Sequence, residues 1–95
     1  MPSNTISLDS IVRRSENHLS TEIDGEVVLL GLDRGNYYGM NKALTSIWTW
    51  IEKPVRVAEI CGKMTATYAV TPEVCEKDVL KALGNLSTEG LIEVQ

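Results

Sequence analysis

The chain has few side chains of the kind that bind soft metal ions. Of its 95 residues, two are cysteine and one is histidine. No CxxC or HxxxH spacing occurs, so a zinc site would lack its usual ligands. Cys61 and Cys75 each lie on an apolar stripe of helical spacing, which favours buried free thiols. A disulfide between them is the alternative. The sequence predicts no metal and no cofactor.

Long hydrophobic runs are also absent. No apolar run approaches the roughly 20 residues that a transmembrane helix needs. The N-terminal segment MPSNTISLDS has no basic region followed by an apolar one, which argues against a secretory signal peptide. We therefore expect a cytoplasmic protein with no membrane partner.

Positive charge is scarce and scattered. The chain has 9 Lys and Arg residues against 13 Asp and Glu residues, which gives a net charge of −4. Arg13-Arg14 is the only adjacent basic pair. Because affinity for DNA or RNA depends on clustered Lys and Arg, the composition argues against a nucleic-acid partner.

The length of the chain limits what it can do. Ninety-five residues form one domain with a modest core, without room for a deep catalytic cleft and a lid. The composition, 43% hydrophobic and 23% charged, is that of an ordinary globular domain. No nucleophile, general base or oxyanion-binding arrangement is recognisable. The sequence thus predicts a binding module and not an enzyme.

Two predicted hairpins dominate the first half of the chain. Asp24-Gly25 is a strong signal for a two-residue turn, because both central positions need positive φ. It joins a strand at Ser20–Ile23 to a strand at Glu26–Leu32. A second turn over Asp33–Asn36 then leads into a third strand at Tyr37–Met40.

The middle strand has apolar residues on both faces. Val27 and Leu29 fall on one face, whereas Val28, Leu30 and Leu32 fall on the other. Either both faces are covered by the rest of the protein, or one of them carries an apolar patch for a partner.

Three helices are predicted after the strands. The first spans Lys42–Glu52 after an N-cap at Asn41, and the second spans Val57–Tyr68. The third starts after a cap at Thr71, with proline in the first helical position, and runs to about Ser87. Gly90 and a short apolar tail follow it.

This order of elements predicts the fold class. Three antiparallel strands followed by three helices indicate an α+β domain with a winged helix-turn-helix-like architecture. We expect residues 20–95 to form this domain. Residues 1–19 are weakly patterned and are interpreted as an N-terminal arm or strand, with Ile11–Arg14 as the candidate strand.

Three segments resemble the PqqD family of small peptide-binding proteins, also called RiPP recognition elements. They are VVLLGLDRGNYYGMN at residues 27–41, ALTSIWTWIE at residues 43–52 and DVLKALGNLSTEGLI at residues 78–92. The likeness covers about residues 21–92. Met40 stands where the family usually has Leu, and Gly84 where it usually has a bulkier residue.

The resemblance implies a function in peptide biosynthesis. Members of the family bind the leader segment of a ribosomally made precursor peptide. A freestanding chain of this size is most similar to the B1 proteins of lasso-peptide pathways, which present the precursor to a separate leader peptidase of the cysteine-protease type and to a macrocyclase. Three alternatives stay open: PqqD proper, which serves a radical-SAM enzyme; a winged-helix DNA-binding protein; and an adaptor without peptide specificity.

The third strand is the predicted binding site. It is expected to be a sheet edge, whose unpaired N–H and C=O groups can accept an added peptide strand. The resemblance implies that the leader lies between this strand and the third helix, where Asp78 would accept a hydrogen bond. The predicted peptide-binding residues are Val28, Leu30, Asn36, Tyr37, Tyr38, Gly39, Met40, Val74, Cys75, Asp78, Lys81 and Ala82.

Overall fold

The computed structural model describes residues 6–16, 18–32 and 35–95. The helices are α1 (Lys42–Trp50), α2 (Val57–Thr67) and α3 (Pro72–Thr88). The strands are β1 (Ile11–Arg14), β2 (His18–Ile23), β3 (Glu26–Gly31), β4 (Tyr37–Gly39), β5 (Val55–Arg56) and β6 (Ile92–Val94). Within these ranges the structure contains no helix with the length and hydrophobicity of a membrane-spanning segment.

The strands form two antiparallel sheets. The first has the order β2-β3-β4, and together with the three helices it confirms the predicted α+β class. The second has the order β5-β1-β6 and joins strands from three distant parts of the chain. Ile11–Arg14 therefore form its central strand, while the division of the chain at residue 19 stays a prediction.

The first hairpin has the turn that its sequence predicts. Ile23 pairs with Glu26 across the two-residue turn. Asp24 has φ 55° and Gly25 has φ 82°, as a type I′ turn requires. In the second predicted turn, residues 33 and 34 lie outside the described residues, and Gly35 has φ 68°.

Two of the helices begin with the predicted capping residues. The Oδ1 atom of Asn41 accepts a hydrogen bond of 2.9 Å from the backbone N–H of Leu44. At the start of α3, the hydroxyl of Thr71 accepts one of 3.3 Å from the N–H of Val74. α1 ends two residues before its predicted end and α2 one residue before, as is common where terminal turns fray.

A single apolar core lies between the first sheet, the helices and the second sheet. Val12, Leu29, Ile60 and Leu83 are completely buried, and each comes from a different element. Val12 shows that the N-terminal strand contributes to this core. The hydrophobic burial that stabilises the domain therefore depends on both sheets.

The two faces of the first sheet differ in exposure. Leu29 points towards the helices and is buried. Val28 and Leu30 point to the other side, beside Leu19 and Ile23, which are 60% and 56% exposed. Of the two sequence-based alternatives, the structure supports a covered inner face and an outer face with an exposed apolar patch.

The two sheets meet at the end of α1. The Nε and Nη2 atoms of Arg14 donate hydrogen bonds of 3.0 and 2.6 Å to the backbone carbonyl of Trp48. The guanidinium also lies 4.6 Å from the centre of the Trp48 ring. From the first sheet, the His18 ring packs edge-on against the same indole at 4.9 Å. Trp48 therefore connects β1 with β2.

The packing of His18 predicts a pH dependence of stability. Burial, and then the charge of Arg14, lower the pKa of His18 below its ordinary 6.5, and the nearby Ser15 backbone opposes them only in part. As the pH falls through 6.5, the unfolded chain binds a proton more readily than the native protein, so the free energy of unfolding decreases. Urea unfolding between pH 7.5 and 5 should show this decrease.

The matched variant for this experiment is His18→Gln, which keeps a polar side chain but does not titrate. As the pH is lowered, we expect the urea midpoint of the wild type to fall relative to that of the variant. A difference that stays constant from pH 7.5 to pH 5 would contradict the assignment to His18.

Candidate functional site

The strand β4 is at one edge of the first sheet. The backbone N–H of Met40 donates a hydrogen bond of 2.8 Å to the carbonyl of Val27, and the carbonyl of Asn36 accepts one of 2.9 Å from Gly31. Backbone groups of an antiparallel strand alternate in direction from residue to residue. Residues 36, 38 and 40 therefore direct their N–H and C=O groups towards β3.

The alternate residues of β4 direct theirs to the open side. Tyr37 and Gly39 are opposite Leu30 and Val28, in pairs that do not exchange hydrogen bonds. Two N–H and two C=O groups thus lie along the free edge, spaced to pair with a further strand. Because β4 contains no proline or lysine, it lacks the common features that block strand addition.

A groove of about 400 Å³ runs between β4 and the C-terminal half of α3; we call it the β4–α3 groove. The Tyr38 hydroxyl donates a hydrogen bond of 2.5 Å to the Glu89 carboxylate and so connects β4 with the end of α3. The groove is lined by Tyr37, Tyr38, Gly39, Met40, Leu44, Ala82, Asn85, Leu86, Glu89 and Leu91.

A second cavity of about 380 Å³ lies between α1 and the N-terminal half of α3; we call it the α1–α3 pocket. It shares Leu44 and Ala82 with the β4–α3 groove, so the two cavities adjoin along α3, and we call them together the trough. The pocket is lined by Asn41, Ala43, Leu44, Ile47, Met64, Tyr68, Val70, Cys75, Asp78, Val79 and Ala82.

A third, shallower cavity of about 350 Å³ lies beside the first hairpin; we call it the hairpin depression. It shares Gly39 and Met40 with the β4–α3 groove and Asn41 with the α1–α3 pocket. Its other lining residues are Ile23, Asp24, Glu26, Val27 and Val28. The end of β4 is thus surrounded by all three cavities.

The thiols beneath the trough are buried and free. The Cys75 Sγ donates a hydrogen bond of 3.6 Å to the Cys61 carbonyl. Burial, reinforced by the nearby Cys75 thiol, raises the pKa of Cys61 to about 11, and burial also raises the pKa of Cys75. Both thiols are therefore protonated near neutral pH, when they are poor nucleophiles.

Residues 26–92 match the protein family described as coenzyme PQQ synthesis protein D (PqqD). The chain belongs to the PqqD family. No curated protein matches it. The open strand edge and the trough therefore lie in the part of the chain that carries the PqqD match.

Three solved structures share the fold of this PqqD-family protein. The first is TbiB1 in complex with the TbiA(beta) leader peptide, which is 34% identical in sequence and has a TM-score of 0.79. The match covers 85% of this chain and 94% of TbiB1. A lasso peptide synthetase B1 complexed with the leader peptide is 21% identical, with a TM-score of 0.77 and coverages of 86% and 96%.

The third structure is the PqqD truncation of Methylobacterium extorquens PqqCD, a stand-alone RiPP recognition element. It is 18% identical, with a TM-score of 0.79, and covers 98% of this chain and 99% of its own. At this identity the likeness concerns the fold.

The structure brings most of the predicted site residues of this PqqD-family protein to the three cavities. Tyr37, Tyr38, Gly39, Met40 and Ala82 line the β4–α3 groove. Cys75, Asp78 and Ala82 line the α1–α3 pocket, and Val28 lines the hairpin depression. Outside these linings are Leu30, Asn36, Val74 and Lys81. Their contact with a peptide stays a prediction.

The sequence predicts Val28 and Leu30 as the apolar floor of the site on the condition that their side of the sheet faces the peptide. The structure places both on the outer face of the sheet, and Leu29 faces the helices instead. Tyr37 and Tyr38 take opposite faces, as alternation along a strand requires. Tyr37 is 73% exposed, whereas Tyr38 packs against the core.

Several residues that line the trough were not predicted from the sequence. Asn85, Leu86 and Glu89 extend the trough towards the end of α3, and Leu44 contributes from α1. Positions 78, 82, 85 and 89 follow helical spacing, so continuing the series from Asp78 and Ala82 would also have found Asn85 and Glu89. Leu44 had no comparable signal, because its position depends on how α1 packs.

The hydrogen bond between Tyr38 and Glu89 should contribute measurably to stability. Tyr38→Phe removes a donor to a partly buried carboxylate, so we expect the free energy of unfolding to fall by about 1.5 kcal/mol. Tyr37→Phe is the matched control, because the Tyr37 side chain is mostly exposed, and it should change stability little. Urea denaturation followed by circular dichroism measures both. Equal effects of the two substitutions would contradict the proposed strength of this contact.

Proposed function

We propose that this protein binds the leader segment of a ribosomally made precursor peptide as a strand added to β4. The observation that carries the proposal is the open edge of β4 beside the trough of two adjoining cavities. It is supported by the 34% identity to TbiB1, whose structure contains a bound leader peptide. The twelve residues predicted from the sequence are the proposed contacts, with Leu44, Asn85, Leu86 and Glu89 added from the structure.

The mechanism follows from the direction of the backbone groups. The N–H and C=O groups of Tyr37 and Gly39 would pair with every second residue of the guest, giving affinity that does not depend on sequence. Side chains on one face of the guest would enter the trough and supply specificity. The 11 residue steps from Asp78 to the C-cap Glu89 rise about 16 Å along the axis of α3, which matches about five residues of an extended strand.

We assign the protein a presenting role without chemistry of its own. Both thiols are buried and protonated. His18 packs against Trp48 and lines none of the three cavities. A separate leader peptidase of the cysteine-protease type and a macrocyclase of a lasso-peptide pathway would act on the presented peptide in the cytoplasm. The resemblance of the sequence to the B1 proteins of lasso-peptide pathways favours this pathway over service to a radical-SAM enzyme.

A backbone-directed titration tests the proposal. The TbiA(beta) leader peptide, fluorescently labelled, and leader peptides encoded beside the gene serve as probes in anisotropy measurements. We expect saturable binding, and we expect hydrogen exchange of the Tyr37 and Gly39 amides to slow in the complex. The Tyr38 amide, already directed to β3, is the internal control.

The probe peptide supplies the second half of the test. N-methylation of single backbone nitrogens in the bound segment should weaken binding at alternate residues only, because every second N–H faces β4. Binding by all probes without protection at β4, or an N-methyl scan without alternation, would overturn strand addition. Failure of every leader peptide to bind would overturn leader recognition itself.

A further inference from the structure

The charged residues that line the three cavities are all acidic in the described part of the chain. Asp78 lines the α1–α3 pocket and Glu89 lines the β4–α3 groove. Asp24 and Glu26 line the hairpin depression. Lys81, one turn along α3 from Asp78, is outside every lining. The walls of the trough and its surroundings thus offer negative charge to a guest.

Three of these carboxylates have no basic partner among the residues that the structure describes. In residues 6–16, 18–32 and 35–95, no Lys or Arg forms an ion pair with Asp24, Glu26 or Asp78. Glu89 differs, because it accepts the hydrogen bond of Tyr38. An unpaired carboxylate beside a binding groove contributes most to affinity when the guest itself brings the cation that pairs with it.

The three unpaired acids flank one end of β4. Asn41, which follows Met40 beyond this end, lines both the α1–α3 pocket and the hairpin depression. A guest strand that passes Gly39 towards Asn41 would therefore run between Asp78 on one side and the hairpin acids on the other. At the opposite end of β4, the acid in the lining is the hydrogen-bonded Glu89.

The negative potential extends into the pocket. After burial, the charges of Asp78 and Glu76 are the next causes that raise the pKa of the Cys75 thiol, against a hydrogen bond from Cys61 that lowers it. Cys75 is in the pocket lining, so both acids lie within electrostatic range of that part of the pocket. The net charge of −4 adds a long-range attraction for basic peptides.

We propose that the guest peptide carries lysine or arginine side chains where it leaves β4 at the Asn41 end, paired with Asp24, Glu26 and Asp78. This inference rests on the proposed function and names the chemistry of its substrate. The apolar trough and the strand edge hold the guest, and the acids select among extended peptides by charge and set the end of β4 at which the basic part lies.

A selection from a random library tests the inference with peptides of every charge. A displayed library of random 15-residue peptides is selected on the wild-type protein and on the triple variant Asp24→Asn/Glu26→Gln/Asp78→Asn, which we call the groove variant. Asn suits the positive φ of residue 24, so the hairpin is retained. The control Glu16→Gln/Glu52→Gln/Glu59→Gln removes the same charge from exposed residues outside the linings of the three cavities.

We expect peptides selected on the wild type and on the control to be enriched in Lys and Arg near one end, and those selected on the groove variant to lose this enrichment. A wild-type-selected peptide should bind the groove variant about tenfold more weakly at low salt, and the control less than twofold. Circular dichroism checks the fold, and Asp78→Asn alone provides a milder variant.

Two results would overturn the inference. The first is equal binding to the wild type and the groove variant, together with selected peptides that are not enriched in Lys and Arg. This result would contradict selection by charge but would not contradict strand addition. The second result is a set of selected peptides that bind without protecting the amides of Tyr37 and Gly39 from hydrogen exchange. Such peptides do not use the β4 edge, and they would contradict the proposed function and the inference together.

Discussion

Gly39→Pro should raise the Kd for a leader peptide by about 100-fold while the sheet remains folded. Gly39 directs its N–H to the open edge, so proline removes no hydrogen bond to β3. It removes a donor to the guest and places a ring where the guest backbone would lie. An unpaired guest carbonyl and the steric clash together cost about 3 kcal/mol, the equivalent of this change in Kd.

Gly39→Ala is the matched control for this substitution. It retains the N–H, and a Cβ added at Gly39 would have no neighbouring atom within 4 Å. Binding should therefore change by no more than a few-fold. Anisotropy titrations give the affinities, and urea unfolding shows that both variants are folded. Strong binding by folded Gly39→Pro would show that the peptide does not use this edge.

Trp48→Ala should reduce the free energy of unfolding by about 4 kcal/mol, the largest effect that we expect from a single truncation in this domain. Trp48 is 2% exposed and contacts Arg14 from the second sheet and His18 from the first. Its loss opens a cavity and separates the surfaces that the indole joins. For a domain of this length, that is a large part of the total of about 5–15 kcal/mol.

Trp50→Ala tests whether burial and contacts, rather than the loss of any tryptophan, produce this effect. Trp50 is on the same helix, is only partly buried and has Lys63 6.0 Å from its ring centre. We expect a loss of about 1 kcal/mol. The midpoints of urea unfolding, followed by circular dichroism at 222 nm, compare the two. Comparable losses would contradict the role of Trp48 as the junction of the sheets.

The local elements of the fold are those that the sequence predicts best. Asp24-Gly25 specifies its turn because few residues tolerate positive φ, and Asn41 and Thr71 cap helices through bonds to residues three positions away. These signals depend on neighbours in the chain. They were sufficient to place the edge strand and α3, and with them most of the candidate site.

The second sheet had no such signal. Its strand β5 has two residues and β6 has three, and each pairs with β1 across a long stretch of chain. Strands this short carry almost no periodicity, so their pairing is decided by the core around Val12 and Ile92. From the sequence, residues 11–14 are interpreted as part of an arm or a strand and residues 91–94 as a short tail, and no element is predicted at residues 55–56.

By itself the sequence determined the order of the strands in the first sheet and of the three helices, and the position of the free edge, because turns, caps and alternation are local. Only the tertiary structure decided that α1 and α3 enclose one trough, that Val28 and Leu30 face away from it and that unpaired acids collect at one end of β4. Those features depend on which surfaces pack against each other. Side-chain burial and long-range pairing decide that packing, and no short stretch of sequence contains it.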